Sequence, residues 1–130
     1  MVINGDHKTL ATWACDCSLR VLHFYEDKYP HDLRPRKAIE ACKLWIKGEM
    51  KMWDARKTAF AAHAVARETE DMSARSAARA CGHAVATAHV KTHAVACACY
   101  AAKAIEFSGG DVKKERDWQY KHLLDLSQDR

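Results

Sequence analysis

Apolar side chains recur at three- and four-residue steps through nearly the whole chain, the spacing that gathers them on one face of an α-helix. The first run carries Leu10, Ala14, Cys17, Val21 and Tyr25. Asp6 offers an N-cap side chain and Pro30 disfavours helix in the residue before it, which predicts one helix over 6–29. After the loop 31–34, Pro35 suits a first helical turn, with Asp32 or Arg34 near the cap. This second helix has a stripe of Ala38, Cys42 and Trp45, joined by Ile39 and Ile46. Gly48 marks its end and a short turn at 47–50. Trp53 opens a third helix that runs through Arg67, and the acidic segment 68–71 breaks it. Asp71 or Ser73 then caps a fourth helix over 74–88.

Segment 87–92 has β-branched residues but no Gly or Pro, so the fourth and fifth helices read either as one rod or as two with a kink near Lys91. The fifth ends at Phe107, because Ser108-Gly109-Gly110 is a stop. A last helix over 111–126 turns Trp118, Leu123 and Leu126 inward, and 127–130 should fray. The pattern predicts an all-α protein: a single domain over 1–130, folded as one compact bundle of five or six helices.

Composition sharpens this picture. Of the 130 residues 48% are apolar, many of them alanine, which favours close helix packing, and a chain of this length can bury a core without staples. The six cysteines fall inside helical patterns, and no secretory signal is expected at the start, so reduced thiols and a cytoplasmic location are predicted. Charged residues interrupt every alanine-rich stretch, which excludes a membrane-spanning helix. The net charge of +4 is mild and the cations are spread along the chain, which makes nucleic acid an unfavoured partner.

Three groups of residues could carry chemistry. His83, His89 and His93 would share a broad helical face, with His63 on the preceding helix, and they are expected to converge on the interior or on a cleft. His7 and His122, near the chain ends, should matter less. Arg34 and Arg36 flank a helix N-terminus that suits an anion. The blander reading pairs Arg36 with Glu40, and Arg34 with Asp16 or Asp32. On the third helix, Phe60, His63 and Arg67 share a face. The four tryptophans read as core anchors, with Trp53 beside Met50 and Met52 as an alternative contact patch.

No metal ligand set is assigned. His89, His93 and Cys97 would lie on successive turns of one straight helix, spanning about 12 Å, and cannot all reach one ion. The glutamate of a His-Glu-X-X-His motif is absent. No serine or cysteine has an evident base, so no catalytic residue is assigned either.

The segments Arg34-Pro35-Arg36-Lys37-Ala38-Ile39-Glu40-Ala41, Ala59-Phe60-Ala61-Ala62-His63-Ala64-Val65-Ala66-Arg67, and Gly82-His83 through Thr92-His93-Ala94 carry a resemblance. The chain, from about His7 to Ile105, resembles a small prokaryotic all-helical family labelled putative immunity protein and associated with polymorphic toxin systems. The resemblance implies a helical fold, cytoplasmic residence and a toxin as protein partner. It carries over no catalytic residues, and Cys97 and Cys99 depart from the family pattern.

The sequence therefore favours a non-enzymatic helical binding protein that neutralises a toxin. Its competitor is a small-ligand or metal-dependent enzyme using the histidine-rich face. Candidate ligand-binding residues are Arg34, Arg36, Glu40, His63, Arg67, His83, His89 and His93, with no cofactor, and a homo-oligomer is left open.

Overall fold

Helix boundaries fall where a side chain or a glycine satisfies backbone groups that the helix itself leaves unpaired. The computed structural model describes residues 6–128; the start, where no signal is expected, and the last two residues, expected to fray, lie outside them. The elements are α1 (His7–Leu19), α2 (His23–Glu26), α3 (Arg34–Ile46), α4 (Met52–Glu68), α5 (Met72–Ala86), α6 (His93–Phe107) and α7 (Val112–Gln128). Among the described residues there is no strand, and the all-α bundle is the fold expected from the periodicity. No helix among them is long and apolar enough to cross a membrane.

Caps explain four of these boundaries. The Asp6 carboxylate accepts from the Thr9 N–H at 2.8 Å, and Asp71 accepts from the Ala74 N–H at 2.9 Å. Gly48 and Gly109 adopt left-handed φ values of 78° and 84°. In each case the following N–H reaches back six residues inclusive, Glu49 to the Leu44 carbonyl at 2.8 Å and Gly110 to the Ile105 carbonyl at 2.9 Å. This is the Schellman closure, and only glycine takes its backbone conformation without strain.

Two boundaries differ from the periodicity. The helix expected over 6–29 breaks at 20–22, where bonds tighten to three-residue steps, such as Val21 N–H to the Ser18 carbonyl at 3.1 Å. The break sends neighbouring side chains to opposite sides: Val21 and Tyr25 join one core cluster and Leu22 the other. The expected helix over 74–88 stops at Ala86, and 87–92 is a turn. The Thr87 carbonyl there accepts from His7 Nε2, and its hydroxyl donates to the His83 carbonyl at 3.1 Å, so tertiary and side-chain bonds replace helical ones.

α5 is the central element. Six of its fifteen residues are alanine and ten are buried, and it packs against α1, α2, α3, α4 and α6. Small side chains let these axes approach closely. Trp13, fully buried, anchors the side towards α7, donating its indole N–H to the Gln119 carbonyl at 2.8 Å. The buried Gln119 amide donates to the Ala98 carbonyl at 2.9 Å. Five of the six cysteines are buried and all are free. Cys97 donates to the Ala14 carbonyl at 3.2 Å and Cys42 to the Ala84 carbonyl at 3.3 Å. Burial raises the pKa of Cys17, Cys81 and Cys97, so these thiols pack as small apolar groups rather than react.

Candidate functional site

Three helices each turn one stripe outward on the same side of the bundle. At three- and four-residue steps, α4 presents Trp53, Arg56, Phe60, His63 and Arg67, and α5 presents Met72, Arg75, Arg79 and His83. α6 adds His93, Tyr100, Lys103 and Phe107.

Three of the four expected histidines meet where these stripes join. His83 lies at the middle, edge-on to His63 with ring centroids 4.9 Å apart, stacked on His93 at 5.2 Å and parallel to Tyr100 at 5.3 Å. Arg79 donates to His63 Nδ1 at 3.2 Å. A guanidinium can only donate, so His63 is a neutral imidazole with its proton on Nε2. His83 Nδ1 faces His93 Nδ1 at 3.0 Å, which requires a proton on one of the two and none on the other. Burial, then the Arg79 charge, pushes His63 down to about 4. Burial, then His63 and His93, does the same to His83, also to about 4. His93 is lowered as well, chiefly by burial.

Gly82 makes this cluster possible. A Cβ at that position would sit 2.7 Å from both Cε1 and Nε2 of His63, so the imidazole lies flush against the glycine backbone. Here the glycine serves close approach within a helix, not a turn.

His89 does not join. It lies exposed in the turn after α5, with its ring 6.0 Å from that of Trp53. The turn also removes the straight alignment of His89, His93 and Cys97, and Cys97 is buried against α1. Among the described residues no group of three or more His, Cys, Asp or Glu is placed to hold a metal. The two terminal histidines are better anchored than expected. His7 bonds the Thr87 carbonyl and packs on Trp45, while His122 bonds Asp16 at 2.7 Å and stacks on Trp118.

The arginines in the first turn of α3 lie apart from this face and are satisfied internally. Arg34 pairs with Asp32 at 2.7 Å, and that hydrogen-bonded pairing holds the Asp32 carboxyl down at about 2. Arg34 also reaches Glu68 at 3.2 Å. Arg36 takes Glu26 in a fork of 2.7 and 2.6 Å, not the expected Glu40. Carboxylates of the chain itself thus occupy the position proposed for an external anion, and Glu40 lies exposed. Arg67 is exposed at the end of the α4 stripe.

The sequence reading omitted Arg75, Arg79, Tyr100 and Lys103. Their signal was present as helical steps, 72-75-79-83 and 93-100-103-107, but the register that turns both stripes to one side is a packing outcome. Between them lies a cleft of about 420 Å³, whose lining includes Arg75, Ser76, Arg79, Tyr100, Lys103 and Glu106.

Fold and face together define a class: a small all-α bundle whose central helices carry an open surface of arginine, histidine and aromatic side chains. The chain belongs to the Imm-5 like putative immunity protein family, whose model matches residues 2–126. No curated protein and no solved structure matches it.

Proposed function

We propose that this protein is a non-enzymatic binding protein of the cytoplasm that neutralises a toxin by covering it. Membership of an immunity family carries this reading, and the site chemistry supports it. Among the described residues the ring hydrogen bonds of the clustered imidazoles run to Arg79 and to one another, and none reaches a hydroxyl or thiol that they could activate. Burial holds the Cys17, Cys81 and Cys97 thiols protonated, as nucleophiles are not.

The test is growth rescue. Toxic open reading frames from the source genome are expressed one at a time in a host, with and without this protein. At least one should kill alone and be tolerated when this protein is present. Failure to rescue any, together with turnover of a small molecule that disappears in His83→Ala, would instead favour the enzyme built on the histidine face.

A further inference from the structure

The outward face of α4, α5 and α6 holds five cations that form no ion pair among the described residues: Arg56, Arg67, Arg75, Arg79 and Lys103. Three of them are held in place. The Arg56 guanidinium sits 5.5 Å from the Trp53 ring centre and 5.2 Å from that of Phe60, Lys103 sits 4.9 Å from Tyr100, and Arg79 is tied to His63. Stacking of this kind restricts the side chains before any partner arrives, which lowers the ordering cost of binding. The α5–α6 cleft gathers Arg75, Arg79 and Lys103 against the single carboxylate of Glu106. Ser76 lines the same cleft, almost entirely buried.

Large apolar side chains lie among these charges. Trp53, Phe60 and Phe107 are 61%, 58% and 50% exposed, and exposed apolar groups gathered on one face suit a contact surface. Arginine and exposed aromatics together are the composition of protein interfaces. Charge then selects among occupants. A second copy docked through a two-fold axis would set this face against itself and cation against cation. A nucleic-acid strand is disfavoured by the mild net charge of +4, since such binders carry a strongly basic face. A protein surface bearing separated carboxylates meets both requirements, its acids on the arginines and its apolar groups on the aromatics.

We propose that the α4–α6 face is the docking surface for an acidic protein partner, with the Arg75–Arg79–Lys103 cleft seating a partner carboxylate. This rests on the toxin-neutralising reading for the identity of the partner, and on this chain's own residues for the location and chemistry. Arg75 and Lys103 are the informative positions, because neither side chain makes a hydrogen bond among the described residues that a substitution would break.

The test uses the full chain, isotope-labelled, titrated with three probes: a short Glu-rich peptide, the same peptide with Gln for Glu, and a short single-stranded thymidine oligomer. The Glu peptide should shift amide signals of α4, α5 and α6 saturably. Its affinity should fall roughly tenfold in Arg75→Glu/Lys103→Glu and stay unchanged in the charge-matched Lys114→Glu on α7. Shifts centred elsewhere, equal binding of the Gln peptide, or an unaffected double variant would overturn the assignment. Tighter binding of the oligomer would replace the acidic protein with nucleic acid. Growth rescue separates the two readings. If the peptide maps to this face and no toxin is rescued, only the toxin reading falls. If rescue occurs and Arg75→Glu/Lys103→Glu still rescues, only the docking face falls.

Discussion

Arginine plays opposite parts on the two sides of this bundle. On the side of α1, α2, α3 and α7, Arg20 closes on Glu115 at 2.8 Å, Arg34 on Asp32 at 2.7 Å and Arg36 on Glu26 at 2.6 Å. Each bond ties segments that need fixing: α7 to α1, the loop before α3 to its first turn, and α3 to α2. On the side of α4, α5 and α6, Arg56 finds two rings, Arg79 an imidazole, and Arg67 and Arg75 form no ion pair among the described residues. The difference teaches that a count of basic residues says little about binding, because a guanidinium already saturated by its own protein has nothing to offer a partner.

The largest difference between the two sides should come from removing Glu115. Its carboxylate is buried and accepts three hydrogen bonds from Arg20, at 2.8 to 3.1 Å, and Arg20 also lies over Trp118 at 3.9 Å. Glu115→Ala should cost about 2 kcal/mol in denaturant unfolding, since the buried carboxylate and its three charge-assisted bonds are lost while Arg20, 40% exposed, rehydrates. A loss near zero would show that α7 is held by Trp13 and Gln119 alone.

Gly82→Ala sharpens the comparison from the other side. An alanine inside a helix normally gains about 1 kcal/mol over glycine, but here its Cβ drives into His63, and overpacking of this kind costs about 1–3 kcal/mol. The single variant should therefore be destabilised. Adding His63→Ala should make Gly82→Ala stabilising, as a double-mutant cycle would reveal. A stabilising effect in the presence of His63 would mean that the ring does not rest on Gly82.

Acid should loosen the two sides in sequence. His63 and His83 carry folded-state values of about 4 against 6.5 when unfolded. The unfolded chain thus binds more protons between these limits, so the stability from the neutral cluster is complete above pH 6.5 and is lost as pH falls towards 4. Asp32, lowered to about 2 from 3.8, and Glu26, lowered by Arg36, give up their share only below the ordinary carboxylate range. Because the imidazoles are half-buried, the loss between pH 7 and pH 4.5 should be modest, about 1 kcal/mol, or roughly 4 °C in melting temperature. His83→Asn should flatten that slope. A melting temperature that stays level down to pH 4.5 would contradict the neutral cluster.

The smallest effect is expected at Arg67 and Arg75. Alanine at either should change stability by no more than about 0.5 kcal/mol, as for surface positions without partners. A larger loss in thermal melting would reveal an internal role for these arginines and remove the contrast between the two sides.

Much of this protein was legible from local chemistry. Helix content, the glycine stops after Ile46 and Phe107, the aspartate caps and the inward path of the cysteines follow from period, φ preference and donor-acceptor matching between near neighbours. The inner histidines were recognisable as candidates, because they sit within alanine-rich faces that have to pack. What near neighbours could not decide is where distant side chains meet. The break at 20–22, Glu26 rather than Glu40 opposite Arg36, and the anchoring of His7 on Thr87 all join residues of different elements. So does the separation of His89 from His93, which depends on a turn that a tertiary hydrogen bond helps to end. The α4–α6 face belongs to the same class. Its stripes are periodic in the sequence, but their common outward direction comes from α5 lying at the centre, burying its alanine side against α1 and α3 and leaving Arg75, Arg79 and His83 to solvent. Periodicity determines which residues share a helical face, whereas only the mutual packing of helices determines which faces meet each other and which are left to meet a partner.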